Sequence, residues 1–267
     1  MADWKIGIRY EMLPGDGAVE RFRHAARFGF DVIELPGRYL HDYRDDLEAN
    51  LENLALPISS LSLGFSGSLV SADAASRSEC RESTKALLAF CAKIGAIGLV
   101  MPPILHMDNH ADLDDDAQRD ALLHEQLPEL AAAAADEGVT LMLEPVNGME
   151  TDYMTTIEHG LQFCEAVNSP GLGLTIDFFH MQITELDAPT AIRRAGKWIR
   201  HVHVAENVRC EPGPGTLDFA PGFEALREIG YGGFVVVECR YLSGPPDDVL
   251  PCSASYLRGL VRNTNPH

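Results

Sequence analysis

The 267-residue chain is predicted to fold as a single (β/α)₈ barrel covering residues 1–267. Three observations lead there. Short apolar runs alternate with longer amphipathic ones from one end to the other. The short runs are continuously apolar, as expected of parallel strands covered on both faces. No Ser/Gly-rich linker or shift of composition divides the chain, and α/β barrels of this length commonly form one unit.

Taken in order, each predicted strand is followed by a predicted helix. Trp4–Tyr10 leads to Ala18–Phe28, Asp31–Leu35 to Asp42–Leu54, Ile58–Leu63 to Ala72–Lys93, and Ile97–Met101 to Ala117–Glu137. In the second half, Val139–Leu143 leads to Met154–Val167, and Leu172–Ile176 to Ala188–Lys197. Ile199–Val204 is followed by Phe219–Glu228, and Phe234–Val237 by a last helix over about Pro251–Val261. Gly29, Gly95, Gly138 and Gly230 follow helices at the point where a C-terminal turn calls for a left-handed residue. An open, doubly wound sheet requires a Gly-rich fingerprint after the first strand. Tyr10 is followed instead by Glu-Met-Leu-Pro-Gly-Asp-Gly.

Composition narrows the functional classes. Forty acidic and 21 basic side chains give a net charge of −19, which repels phosphate backbones and anionic lipid; neither nucleic acid nor membrane is an expected partner. The six cysteines (Cys80, Cys91, Cys164, Cys210, Cys239, Cys252) contain no C-x-x-C pair and read as reduced thiols. The N-terminus has no basic segment leading into an apolar one, and no apolar run approaches the roughly 20 residues of a membrane span. A cytoplasmic location is the expectation.

Four residues stand at or just past the ends of the last four predicted strands: Glu144, Asp177, His203 and Glu238. In a barrel the active site lies at the C-terminal ends of the strands, so all four converge on one mouth. Three carboxylates and an imidazole sharing a buried pocket need something positive among them, because desolvation and mutual repulsion are otherwise too costly. An oxygen-rich set of this kind suits Mn²⁺, Mg²⁺, Co²⁺ or Fe²⁺ better than a structural zinc. One divalent cation is therefore expected, Mn²⁺ first. Such ions prefer six ligands, which leaves about two positions for water or substrate oxygens.

The stretch His203-Val-Ala-Glu-Asn-Val-Arg209-Cys-Glu-Pro-Gly-Pro-Gly resembles the strand-seven motif of the xylose isomerase-like barrel superfamily, and in particular ketose 3-epimerases of the tagatose/allulose/ribulose type. Glu144-Pro-Val-Asn147 resembles that family's E-P-x-N, Asp177-Phe-Phe-His180 its D-x-x-H, and Glu238-Cys-Arg240 its last ligand. The intervals of 33, 26 and 35 residues between the proposed ligands also resemble the family's. The resemblance covers roughly the C-terminal half. It implies that Glu144, Asp177, His203 and Glu238 bind the metal while Glu150, His180 and Arg209 hold a keto-sugar. Glu144 and Glu238 are then the catalytic pair. One removes a proton next to the carbonyl and the other returns it on the opposite face through a metal-stabilised enediolate, giving C3 epimerisation. Aldose–ketose isomerisation would use the same site.

Other features leave the substrate open. After the fourth strand the chain reads Met101-Pro-Pro-Ile-Leu-His-Met where the resemblance implies a tryptophan against the sugar, and Trp4 and Trp198 are both remote. Keto-glycosides, inososes and hydroxypyruvate therefore stay beside free ketoses, as does the role of a lyase or sugar-binding subunit. Glu34 ends the second strand and is read equally as a mouth residue or a buried ion pair; His106 and His110 are read as surface residues of the long loop after strand four. An endonuclease IV-like activity is disfavoured by the charge and by a third strand ending Ser62-Leu-Gly-Phe-Ser without histidine. A homo-oligomer, dimer or tetramer, is the expected assembly, with a partner subunit as the alternative.

Overall fold

A computed structural model describes residues 4–106 and 112–263. Eight parallel strands close into a barrel in chain order: β1 (Lys5–Arg9), β2 (Val32–Pro36), β3 (Ile58–Ser62), β4 (Gly98–Met101), β5 (Thr140–Leu143), β6 (Leu172–Asp177), β7 (Ile199–Val204) and β8 (Phe234–Val237). The seam is β1 against β8, in register from Lys5 opposite Phe234 to Ile8 opposite Val237. Closure leaves no strand edge to protect, and the helices pack around the outside.

Those helices are α1 (Ala18–Phe28), α2 (Leu40–Asn50), α3 (Ala74–Ile94), α4 (Asp116–Asp136), α5 (Ile157–Val167), α6 (Phe178–Thr184), α7 (Ala188–Ala195), α8 (Ala220–Glu228) and α9 (Pro246–Asn263). Side-chain caps set where several begin. Asp73, Asp115 and Asp187 accept first-turn N–H groups of α3, α4 and α7, and Thr156 does so for α5. Gly29 and Gly95 close α1 and α3 in the left-handed region, as the sequence predicts. Among the described residues no helix is long and apolar enough to cross a membrane.

Three elements depart from the sequence reading. Helix α6 was not expected; it starts on Asp177, whose Oδ1 accepts the N–H of Phe179 at 2.8 Å. Helix α9 begins at Pro246, so Pro251 lies inside it rather than at its start. A proline's fixed φ suits a helix, and the cost is one lost backbone hydrogen bond. Strand β3, Ile-Ser-Ser-Leu-Ser, is buried throughout yet not continuously apolar. Its Ser60 faces a carboxylate and an imidazole inside the barrel rather than an apolar layer.

At Gly98 the backbone requires glycine. A Cβ there would lie 1.8 Å from the carbonyl oxygen of Thr140 on β5, directly opposite in the register. That close approach lets β4 and β5 pair at the barrel's lower end.

Candidate active site

The strand ends bring the four predicted ligands together. Asp177 is the last residue of β6 and sits beside His203 of β7 in the register; Glu144 follows β5, and Glu238 follows β8. One donor atom from each of Glu144, Asp177, His203 and Glu238 lies within 4.8 Å of the others, and all four residues are buried. His203 Nδ1 is the centre of the group, 3.0 Å from Glu144 Oε1 and 3.3 Å from Glu238 Oε2.

Electrostatics show a cluster short of positive charge. Burial raises the carboxyl of Glu144 above its ordinary range. It pushes Asp177 up to about 6, with the Glu238 charge adding and the Arg209 guanidinium opposing. Burial alone would lower His203, but the carboxylates of Glu34, Glu238 and Glu144 outweigh it and hold the imidazole well above its usual value. Burial would raise Glu238, yet His203, Arg9 and Arg209 hold its carboxyl well below the usual range. These residues fit a divalent cation. Three carboxylate arms and one ring nitrogen converge, and the buried Asp177 Oδ2 makes no hydrogen bond among the described residues. The nearest nitrogens to that oxygen are the neutral His180 Nε2 at 3.3 Å and the Arg209 guanidinium Nη2 at 3.6 Å.

The three residues read as substrate-binding form one linked group beside this cluster. Arg209 stacks on the ring of Phe179 at 4.5 Å. It donates through Nη1 to Glu150 Oε1 at 3.2 Å and through Nη2 to Glu238 Oε2 at 3.0 Å. His180 lies 3.2 Å from the same Nη1, and Asn147 Nδ2 donates to His180 Nδ1 at 2.7 Å. Burial lowers the imidazole of His180 to about 4, and Arg209 adds to the effect, so it is neutral at pH 7. Arg209 itself has φ +60°, a left-handed backbone unusual for a non-glycine residue, held by its N–H to the carbonyl of Glu206 at 2.7 Å.

All seven predicted residues thus lie together at the C-terminal mouth of the barrel. Sequence reasoning missed Arg9 and Glu11. Arg9, at the end of β1, pairs with Glu238 through Nη1 and with Glu11 through Nη2 at 2.7 Å. A charged residue ending the first strand was the available signal, weakened because no pattern in the first half pointed to it. Glu34 proves to be the buried ion pair of the two readings offered for it. It touches His201 and His203 beneath the cluster. His106 is exposed but lines the mouth, and its N–H bonds the carbonyl of Glu150 at 3.0 Å. His110 lies outside the described residues.

The cluster opens into a cavity of about 720 Å³ lined by residues of both halves, among them Arg38, Tyr39, Leu105, Met149 and Arg240. Tyr39 and Met149 are 49% and 69% exposed there, so the outer mouth is partly apolar.

Comparison with known proteins gives a consistent result. The chain is 28% identical to 3-dehydro-D-guloside 4-epimerase of Escherichia coli over 262 residues, spanning 95% of this chain and 99% of that one. It is 30% identical to a ketose 3-epimerase of Arthrobacter globiformis over 262 residues, 96% of this chain and 84% of the relative. With L-ribulose 3-epimerase of Mesorhizobium japonicum it shares 34% over 215 residues, covering 76% and 69%. Among solved structures, the 3-keto-D-glucoside 4-epimerase of E. coli superposes with a TM-score of 0.87 at 26% identity, covering 96% of this chain and 99% of that one. The profile of the xylose isomerase-like TIM barrel family matches residues 22–260. With the closed barrel and strand-end cluster described above, the chain belongs to the xylose isomerase-like TIM barrel family.

Proposed function

We propose that this protein is a metal-dependent epimerase of a keto-sugar, with Glu144, Asp177, His203 and Glu238 holding one divalent cation, Mn²⁺ before Mg²⁺ or Co²⁺. The observation that carries the reading is the four-donor cluster within 4.8 Å, with a carboxylate oxygen of Asp177 inside it that makes no hydrogen bond among the described residues. When bound, the cation polarises the substrate carbonyl and stabilises the negative charge that develops as the neighbouring C–H ionises. The remaining steps belong to the protein. Glu144 from β5 and Glu238 from β8 approach from either side of β6 and β7. One carboxylate accepts the proton from the carbon next to the carbonyl. The other donates a proton to the opposite face, which inverts that centre. The reverse reaction exchanges their roles. Arg209, neutral His180 and Glu150 orient the hydroxyls on either side, and Arg209 keeps Glu238 aimed into the site.

Two readings of the substrate remain distinct. A free ketose with its carbonyl at C2 exchanges the proton at C3, the reading favoured by the resemblance to ketose 3-epimerases. A 3-keto-glycoside exchanges the proton at C4 instead. This second reading is favoured by the end-to-end match to the E. coli 4-epimerase and by a mouth larger than one sugar ring. Incubating the Mn²⁺-loaded protein in D₂O with free ketoses and 3-keto-glycosides, read by NMR, separates them. Deuterium at C3 of a ketose supports the first and deuterium at C4 of a glycoside the second. Absence of exchange from every substrate refutes epimerisation.

A further inference from the structure

We infer that Glu34 is a positioning residue for the metal centre: its carboxylate, anchored by His201 and Ser60, accepts Nε2–H of His203 and thereby turns Nδ1 toward the ion. The inference rests on the metal-centre reading above and concerns a layer beneath the four ligands, formed by β2, β3 and β7. Glu34, Ser60, His201 and His203 are all fully buried. His203 Nε2 lies 3.0 and 3.1 Å from the two oxygens of Glu34. His201 Nε2 is 2.8 Å from Glu34 Oε2, and Ser60 Oγ donates to that same oxygen at 2.7 Å. Three donors thus hold one carboxylate, within the roughly four acceptor sites it offers.

The geometry also assigns the rings. A neutral imidazole has one N–H and one lone pair. His201 Nδ1 has no partner among the described residues, whereas its Nε2 faces an acceptor, so the proton of His201 is on Nε2. For His203, Nε2 faces Glu34 and Nδ1 faces Glu144 and Glu238. Both ring nitrogens face acceptors in the metal-free protein; when an ion displaces the proton of Nδ1, Glu34 retains the one on Nε2 and the lone pair of Nδ1 is left facing the cluster. Metal-ligating histidines depend on such an outer partner to fix tautomer and ring orientation and to raise ligand basicity.

A rival use of the same atoms is a second ion held by Glu34, His201 and His203, whose donor atoms also fall within 4.8 Å of one another. That arrangement would require His203 to surrender its remaining ring proton while Nδ1 serves the first ion. It would also set the Ser60 and His201 donors against a cation. The hydrogen-bonded arrangement gives the Glu34 carboxylate, the Ser60 hydroxyl and the Nε2–H groups of His201 and His203 a partner each without either cost.

The test is calorimetric titration of Mn²⁺ into the full chain after chelator treatment, for wild type and Glu34→Gln, with thermal melting of the metal-free proteins alongside. The expected result is one ion per wild-type chain and about 10- to 100-fold weaker binding in Glu34→Gln, in a protein that still melts cooperatively. An unchanged Kd in the folded variant overturns the inference and reduces Glu34 to a packing role. Two ions per wild-type chain, one of them lost in the variant, also overturns it by making Glu34 a ligand. No Mn²⁺ binding by wild type overturns this inference together with the metal-centre reading, a pattern distinct from the other two. If Glu34→Gln does not fold, Ser60→Ala removes one of the three donors instead; weaker Mn²⁺ binding supports the inference and an unchanged Kd overturns it.

Discussion

Metal binding by this site should be steeply acid-sensitive, and the structure sets the size of the effect. Divalent cations bind deprotonated ligands, so any ligand protonated in the metal-free state must give up its proton. Burial places Asp177 at about 6 in the metal-free protein. It is then about nine-tenths ionised at pH 7 and one-tenth at pH 5, and its protonation alone weakens binding about tenfold across that window. His203 is held well above its usual value by the carboxylates of Glu34, Glu238 and Glu144, which outweigh the effect of its burial. It is protonated throughout the window, and its Nδ1 costs a further factor of about ten per pH unit, or about a hundred in all. Glu238, held well below the usual range, adds nothing. The Kd for Mn²⁺ should therefore rise at least about a thousandfold between pH 7 and pH 5, with about one proton or more released per ion at pH 7 and about two or more at pH 5, since the raised carboxyl of Glu144 adds in the same direction. Calorimetry in two buffers of different ionisation enthalpy measures both quantities. A Kd that changes less than tenfold, or binding at pH 7 without proton release, would refute the assignment of His203 as a ligand through Nδ1.

Three substitutions probe other parts of the argument. Glu238→Gln keeps the shape of the side chain but removes a proton acceptor, so kcat should fall by about 10²- to 10⁴-fold in steady-state assays with Mn²⁺ saturating; full turnover would exclude Glu238 from the proton-transfer pair. Arg209→Lys keeps the charge but loses the fork that reaches Glu150 and Glu238 together, so KM should rise and kcat fall, and an unchanged kcat/KM would remove Arg209 from the site. Gly98→Ala drives a methyl group into the carbonyl of Thr140 and should cost about 3 kcal/mol, lowering Tm by roughly 6–12 °C. Unchanged melting of that variant would show that β4 and β5 can separate without penalty.

Much of the molecule was legible in the chain because its signals are local. Apolar runs bounded by glycine and separated by amphipathic stretches mark strand–helix units whatever their neighbours do, and all eight strands formed where that pattern put them, within a residue or two at the ends. Helix α6 escaped because seven residues are too few for a helical period to appear, and because it starts on Asp177, a residue already read as a ligand. The four converging residues of the second half were legible because each stands alone at the end of an apolar run. Arg9 and Glu11 were not, because their meaning depends on β1 closing against β8, across more than 220 residues of sequence.

By itself the sequence determined the barrel and the convergence of Glu144, Asp177, His203 and Glu238 at its mouth. Only the tertiary structure decided what surrounds them. It assigned Glu34 to the layer below rather than to the mouth, linked Arg209 to both Glu150 and Glu238, and clamped Glu238 between Arg9 and Arg209. The physical reason is that a strand's register and its position along the barrel axis fix which layer a side chain enters. Those are set by closure of the whole sheet and not by any residue's neighbours in sequence.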